Sequence, residues 1–264
     1  MDLEKLCTQV IEISHQVGEF ILEQKNKISA QNIEIKGKND FVTFVDKTSE
    51  QKLVAALSKI LPESGFIAEE NTSDKKGEVY NWIIDPLDGT TNFIHGLAPF
   101  AISIALIENQ EIVLGVVHEL NLNETFFAWK GSKAYLNRRE VQVSKTETVA
   151  DSLIATGFPY YDYKRLNQFM ESMKFFMNNS RGLRRLGSAA TDLVYVACGR
   201  FDAFYEYSLK PWDVAAGAFI VQQAGGKISD FDKGQNWLYG QEIIAANSNS
   251  FSELQDVISK IMND

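Results

Sequence analysis

Residues 82–93 read Trp82-Ile83-Ile84-Asp85-Pro86-Leu87-Asp88-Gly89-Thr90-Thr91-Asn92-Phe93. An apolar run of strand character enters Asp85, Pro86 stops it, and Asp88 follows three residues later. Gly89 permits a tight turn, after which Thr90, Thr91 and Asn92 supply hydroxyls, backbone N–H groups and an amide. Two carboxylates this close to the end of a buried strand would repel each other at low dielectric. A divalent cation is the simplest compensation. Oxygen-only ligands with no nearby Cys or His favour a hard ion, Mg²⁺ first and Mn²⁺ or Ca²⁺ next. The bland alternative is an Asp-Gly turn whose aspartate caps a following helix.

Two further acid positions share this placement. Glu69-Glu70 ends the apolar run Gly65–Ala68, and Asp213 follows Pro211-Trp212 at the start of a helical pattern. Alone, the glutamates read as a solvated loop and Asp213 as an acid complementing a helix dipole. Three acid clusters at strand ends and helix starts make a stronger case than any one of them.

Outward from these motifs, Leu3, Leu6, Val10, Ile13, Val17, Phe20 and Ile21 mark an amphipathic helix over 3–24. Residues 36–40 read as a polar loop and Phe41–Val45 as a short strand. A second helix is expected with Asp46, Thr48 or Ser49 as its cap and Pro62 beyond its end. Strands are expected at Val79–Ile84, Ala101–Ile107, Glu111–His118, Thr125–Trp129 and within Ala134–Val143, as a meander. Beyond residue 150 strand-like segments (153–156, 182–186, 202–207, 227–231, 242–246) alternate with helix-like ones (162–177, 188–197, 212–224, 250 onward). That rhythm implies layered α/β architecture. With no repeat or linker, 1–264 reads as a single domain, with subdomains at about 1–148 and 149–264 sharing one core.

Composition excludes several classes. Lys and Arg total 26 against 35 acids, a net charge of −9, so the surface repels phosphate backbones and argues against sequence-independent nucleic-acid binding. Cys7 and Cys198, far apart in the chain, read as reduced thiols of a cytoplasmic protein. His15, His95 and His118 are too scattered for a zinc site. No uncharged apolar run reaches the roughly 18 residues a membrane span needs, and the start MDLEKLCTQV does not resemble a secretory signal.

The segments DPLDGTTNF (85–93), AEE (68–70) and WDVAAGAFIVQQAGG (212–226) together resemble the inositol monophosphatase family of Mg²⁺-dependent phosphatases, in order and over essentially the whole chain. The resemblance implies a layered α-β-α-β-α sandwich of the inositol monophosphatase and fructose-1,6-bisphosphatase type, assembled as a homodimer. It implies Glu69, Asp85, Asp88 and Asp213 as metal ligands, with the Leu87 carbonyl completing a site for two or three Mg²⁺ per active site. Mn²⁺ is the substitute. Gly89 and Thr90 match the phosphate-binding backbone. Thr90, paired with Asp46, and Glu69 would orient the attacking water. Glu206 matches the acid that bonds substrate hydroxyls, and Gly187-Ser188-Ala189 a stretch lining the same pocket. Leu87, Asp88 and Asp213 also border the expected substrate site. The activity implied is hydrolysis of a small phosphomonoester, inositol 1-phosphate first, by direct attack of a metal-activated water. Fructose 1,6-bisphosphate, histidinol phosphate and 3′-phosphoadenosine nucleotides are the substrates of related enzymes. Some bacterial members also contact the transcription machinery.

The chain departs from the family pattern at Ala68, Asn71 and Ser188, where Gly, Ser and Thr are usual; none removes a ligand. Arg181, Arg184 and Arg185 form a basic run that reads first as solvated surface and second as a site for an anion or a partner. Lys36 and Lys38 resemble a lysine loop near the family's active site. Trp212 reads as packing, and the aromatic run Phe158–Tyr163 reads first as packing and second as the rim of the pocket or of a dimer interface.

Overall fold

The structure is a computed structural model that describes residues 1–25, 33–37, 40–160 and 162–263, with residues 33–37 and 40–42 described by backbone alone. Its layering follows from which side chains each strand turns to which face. In β4 (Tyr80–Asp88), Ile84 packs with the outer helices α1 (Leu3–Gln24) and α2 (Phe44–Ile60). Its neighbour Ile83 points the opposite way, into a central core. β4 belongs to a seven-stranded sheet with β3 (Gly65–Ala68), β5 (Ala101–Glu108), β6 (Glu111–Glu119), β7 (Glu124–Trp129), β8 (Ala134–Leu136) and β9 (Arg139–Val141). Its strand order is sequential, antiparallel throughout except for the parallel β3–β4 pair.

The central core is filled by α5 (Ala189–Ala197) and α6 (Pro211–Gln223). Eight consecutive residues of α6, Val214–Val221, are buried, as expected of a helix covered by sheets on both sides. Gly217 permits the close approach of α5, since a Cβ there would lie 2.6 Å from that of Leu193. On the far side stands a five-stranded sheet in the order β11 (Gly182–Arg184), β10 (Leu153–Thr156), β12 (Ala203–Tyr207), β14 (Glu242–Ala246), β13 (Lys227–Ser229). Its other face packs Ile244, Tyr205 and Ala246 against α4 (Leu166–Asn179) and α7 (Phe251–Met262). The result is the expected α-β-α-β-α sandwich. No helix among the described residues is long and apolar enough to cross a membrane.

Local expectations differ from the structure in instructive ways. β4 does not stop at Pro86; it continues to Asp88 through a register shift, pairing Asp85 with Ser103 and Asp88 with Ala101. The extra residue makes a bulge, where a proline without an N–H is tolerated. Residues 36, 37 and 40 are not loop: β1 (Ile33–Gly37) and β2 (Asp40–Thr43) form an antiparallel pair, while Lys38 lies outside the described residues. The cap of α2 is Thr43, not Asp46, Thr48 or Ser49. Thr43 Oγ accepts the Val45 N–H at 3.1 Å, and Asp46 reaches back to the Thr43 N–H at 2.8 Å. In the β5–β6 hairpin, Asn109 and Gln110 both take positive φ, 48° and 72°, the geometry that matches strand twist in a two-residue turn.

Candidate active site

The acid-bearing segments meet in one cleft between the sheets. The β4 bulge delivers Asp85, Leu87 and Asp88, and the turn into α3 (Thr90–Ile94) adds Gly89 and Thr90. The end of β3 contributes Glu69, the cap and first turn of α5 contribute Gly187, Ser188 and Ala189, β12 contributes Glu206, and the start of α6 contributes Asp213. Gly89 and Gly187 have φ of 93° and 90°, backbone that a side chain would strain. Their turns also lie against each other, because a Cβ on Gly89 would be 3.3 Å from the Gly187 carbonyl oxygen.

Each of three carboxylates has one oxygen fixed by a hydrogen-bond donor, local for Asp85 and Asp213 and from α5 for Asp88. Asp85 Oδ1 accepts the Leu87 N–H at 2.9 Å, and Asp213 Oδ2 accepts the Lys210 N–H at 2.7 Å. Asp88 Oδ2 accepts both the Ser188 hydroxyl at 2.6 Å and the Ala190 N–H at 2.7 Å, so Ser188 retains the hydroxyl that the usual threonine would bring. Burial, with repulsion from Glu69, Asp88 and Asp213, holds the Asp85 carboxyl well above the ordinary range. Burial also pushes Asp88 up to about 6, against its Ser188, Ala190 and Ala189 hydrogen bonds and the nearby Arg185 charge.

Asp46 stands behind this cleft rather than on its wall. Its Oδ1 faces the Thr90 hydroxyl at 2.9 Å, and the same hydroxyl lies 3.0 Å from the Leu87 carbonyl, so its one proton serves either acceptor. Asp46 Oδ2 also accepts the Thr43 hydroxyl at 2.6 Å. Burial raises the Asp46 carboxyl, and these hydrogen bonds oppose the shift.

Glu206 is 5% exposed on β12. A Cβ on Gly157 would sit 2.0 Å from its Oε2, so Glu206 lies directly on a glycine backbone. Burial, then repulsion from Asp192 and Asp213, holds its carboxyl well above the usual range.

The basic run separates. Arg181 is exposed and pairs with Asp151 at 3.2 Å, Arg184 is exposed, and Arg185 alone lines the cleft. Its guanidinium stands 5.0 Å from the Phe158 ring centroid and 5.9 Å from that of Tyr160, and Nη2 donates to the Tyr160 hydroxyl. The aromatic run therefore borders the cleft through Tyr160, the second of its two readings, while Tyr161 lies outside the described residues. Trp212 does both, packing on the central core and lining the cleft. Asp192, 1% exposed and in the first turn of α5, is a further cleft residue that the motifs did not single out. A buried acid three residues after a helix start was its sequence signal, but the same pattern marks ordinary helix termini.

The donor set fits a hard divalent cation: Glu69, Asp85, Asp88, Asp213 and the Leu87 carbonyl offer oxygen only, and Asp85 is buried among acids that repel it. The carboxylates do not stand as a ready-made cage, for no three His, Cys, Asp or Glu among the described residues are so arranged. Their hydrogen-bond donors hold Asp85, Asp88 and Asp213 in their present orientations.

Comparison with known proteins accords with the geometry. The model of the inositol monophosphatase family matches residues 2–262. The chain is 37% identical over 261 residues to the Nus factor SuhB of Pseudomonas aeruginosa, spanning 97% of this chain and 96% of that protein. It is 36% identical over 255 residues to a fructose-1,6-bisphosphatase/inositol-1-monophosphatase of Thermotoga maritima, spanning 96% of each. Among solved structures, the extragenic suppressor protein suhB of Bartonella henselae superposes with a TM-score of 0.90 at 35% identity, covering 97% of this chain and 99% of that one.

Proposed function

The chain belongs to the inositol monophosphatase family, and from that premise we propose that it is a Mg²⁺-dependent phosphomonoesterase acting on inositol 1-phosphate. The observation that carries this is the meeting of Glu69, Asp85, Asp88 and Asp213 on one cleft that the buried Glu206 also lines. Glu69, Asp85, Asp88, Asp213 and the Leu87 carbonyl would hold two or three Mg²⁺ per site, or Mn²⁺ in their place, and the ions would supply charge neutralisation for the phosphate, an activated water and stabilisation of the leaving oxygen.

The residues of the chain do the positioning. The Thr90 hydroxyl donates its hydrogen bond to Asp46, which leaves its oxygen oriented to accept from a water between Glu69 and the phosphate. Gly89 and Thr90 hold the phosphate against their backbone. Glu206 accepts hydrogen bonds from hydroxyls of the polyol, whose ring rests against Gly187, Ser188 and Ala189. No covalent phospho-enzyme is needed. The protein acts in the cytoplasm as a homodimer, as in the family.

Fructose 1,6-bisphosphate is the second substrate, favoured by the likeness to the Thermotoga maritima protein. A binding role in transcription, favoured by the likeness to a Nus factor, is compatible with catalysis. Turnover with Mg²⁺ on inositol 1-phosphate, fructose 1,6-bisphosphate and histidinol phosphate tests the assignment. Inositol 1-phosphate is expected to lead, and Asp88→Asn or Asp213→Asn to lower turnover by at least about a hundredfold with the fold retained. Near-normal turnover in either variant would sink the metal-ligand assignment.

A further inference from the structure

α2 carries a second buried acid four residues after Asp46. Glu50 is 0% exposed, and the spacing puts both side chains on one face of the helix. Neither lines the cleft. A carboxylate buried this deeply is costly unless hydrogen-bond donors meet it. Glu50 finds them in the backbone: Oε2 accepts the Glu70 N–H and Oε1 the Thr72 N–H, each at 2.7 Å.

That grip falls on the residues next to Glu69. Asn71, between the two donors, has a φ of 53°, left-handed backbone of the kind that lets neighbouring N–H groups converge on one acceptor. Its Nδ2 also donates to the Glu69 carbonyl at 3.2 Å. On the other side, the Glu69 N–H donates to the Ile84 carbonyl of β4 at 3.3 Å. Glu69 therefore stands between one peptide held by β4 and another held by Glu50.

Asp46 does for Thr90 what Glu50 does for the Glu69 turn, since its Oδ1 faces the Thr90 hydroxyl at 2.9 Å. Thr90 opens α3 and Glu69 follows β3, so nothing local relates them. They are the two groups placed on the attacking water above. A single rigid helix face holds both, and misplacing such a group by about 1 Å costs on the order of a hundredfold in rate.

We propose that Glu50 is a positioning residue for the reaction: it fixes Glu69 through the Glu70 and Thr72 N–H groups, as Asp46 fixes Thr90, so that α2 sets the mutual position of the two groups that orient the attacking water. The assignment rests on the phosphomonoesterase function proposed above and extends its machinery to a residue outside the cleft.

Glu50→Gln tests it, because it keeps the shape but turns an amide N–H₂ towards a backbone N–H where an oxygen accepted. In the metal-free protein, hydrogen exchange at the Glu70 and Thr72 amides is expected to quicken by about tenfold or more. On the better of inositol 1-phosphate and fructose 1,6-bisphosphate, kcat is expected to fall about tenfold with KM within about threefold. The half-saturating Mg²⁺ concentration is expected to rise about tenfold. Unaltered exchange at both amides overturns the assignment. So do kcat and half-saturating Mg²⁺ both within about twofold of wild type, which would leave Glu50 a stabiliser of the loop alone. Should Glu50→Gln not fold, Glu50→Asp, which keeps the carboxylate but withdraws it by one methylene, decides by the same readings. A wild-type protein that hydrolyses neither compound overturns instead the phosphomonoesterase function. The exchange rates and the Mg²⁺-induced rise in melting temperature then still decide whether Glu50 holds Glu69.

Discussion

At the scale of single residues, the acids of the cleft differ in how legible they were. Asp85 and Asp88 declared themselves through an apolar run ending in Asp-Pro-Leu-Asp-Gly, since carboxylates seldom end buried strands without a counter-charge. Glu206 was identifiable only by resemblance, and the structure adds its support, the bare Cα of Gly157. Gly157→Ala would place a methyl 2.0 Å from Oε2. Because the clash is with the end of a side chain, the fold can relax while Glu206 leaves its position. The expected outcome is a rise in KM for inositol 1-phosphate of about tenfold, with a melting temperature changed by no more than about 2 °C. A lost melting transition with unaltered KM would contradict this. Asp192 was not singled out, because its entry into the cleft depends on packing between segments distant in the chain.

Elements were readable where periodicity was unbroken and misread at their ends. α1 and β10 occur over the expected residues, α1 because its burial repeats every 3.6 residues and β10 because it is a short, almost wholly buried apolar run. The start of α2 was misplaced because Asp46 looks like a cap, whereas it is the acid that reaches back to the true cap, Thr43. This reciprocal arrangement joins stability to function, since Asp46 also faces Thr90. Thr43→Ala removes the cap and one hydrogen bond to Asp46. The expected loss is about 1 kcal/mol, a fall in melting temperature of roughly 2–4 °C, accompanied by lower kcat. A variant with the stability loss and wild-type kcat would separate Asp46 from the chemistry. The passage of β4 through Pro86 was likewise unreadable, because a bulge depends on the partner strand β5.

For the molecule as a whole, the sign of the net charge of −9 argues against sequence-independent nucleic-acid binding, but its distribution decides the pH behaviour. Asp85, Asp192 and Glu206, buried, and Asp88, half-buried, line one cleft and hold their carboxyls above the ordinary range, Asp88 at about 6. A folded-state pKa raised above the unfolded value stabilises the protein below the unfolded pKa, and that contribution is lost as pH rises through the folded one. Without metal, these groups therefore weaken the fold between about pH 4 and neutrality. The Mg²⁺ of the proposed function would supply the missing counter-charge and would compete with protons for the same oxygens. Thermal melts are expected to show a larger Mg²⁺-induced rise at pH 8 than at pH 5. Equal shifts at both would mean that the ions bind away from these acids.

The linear chain by itself determined the layered architecture and the carboxylate motifs, since both arise from local pattern: apolar periodicity, turn residues, and acids at the ends of buried runs. Tertiary structure alone decided which Arg of the basic run enters the cleft, that Asp192 joins Glu206, and that Thr43, Asp46 and Thr90 form one hydrogen-bonded unit. The reason is physical. A side chain's burial and charge environment are set by neighbours distant in the chain, and only packing of the two sheets around α5 and α6 brings those neighbours together.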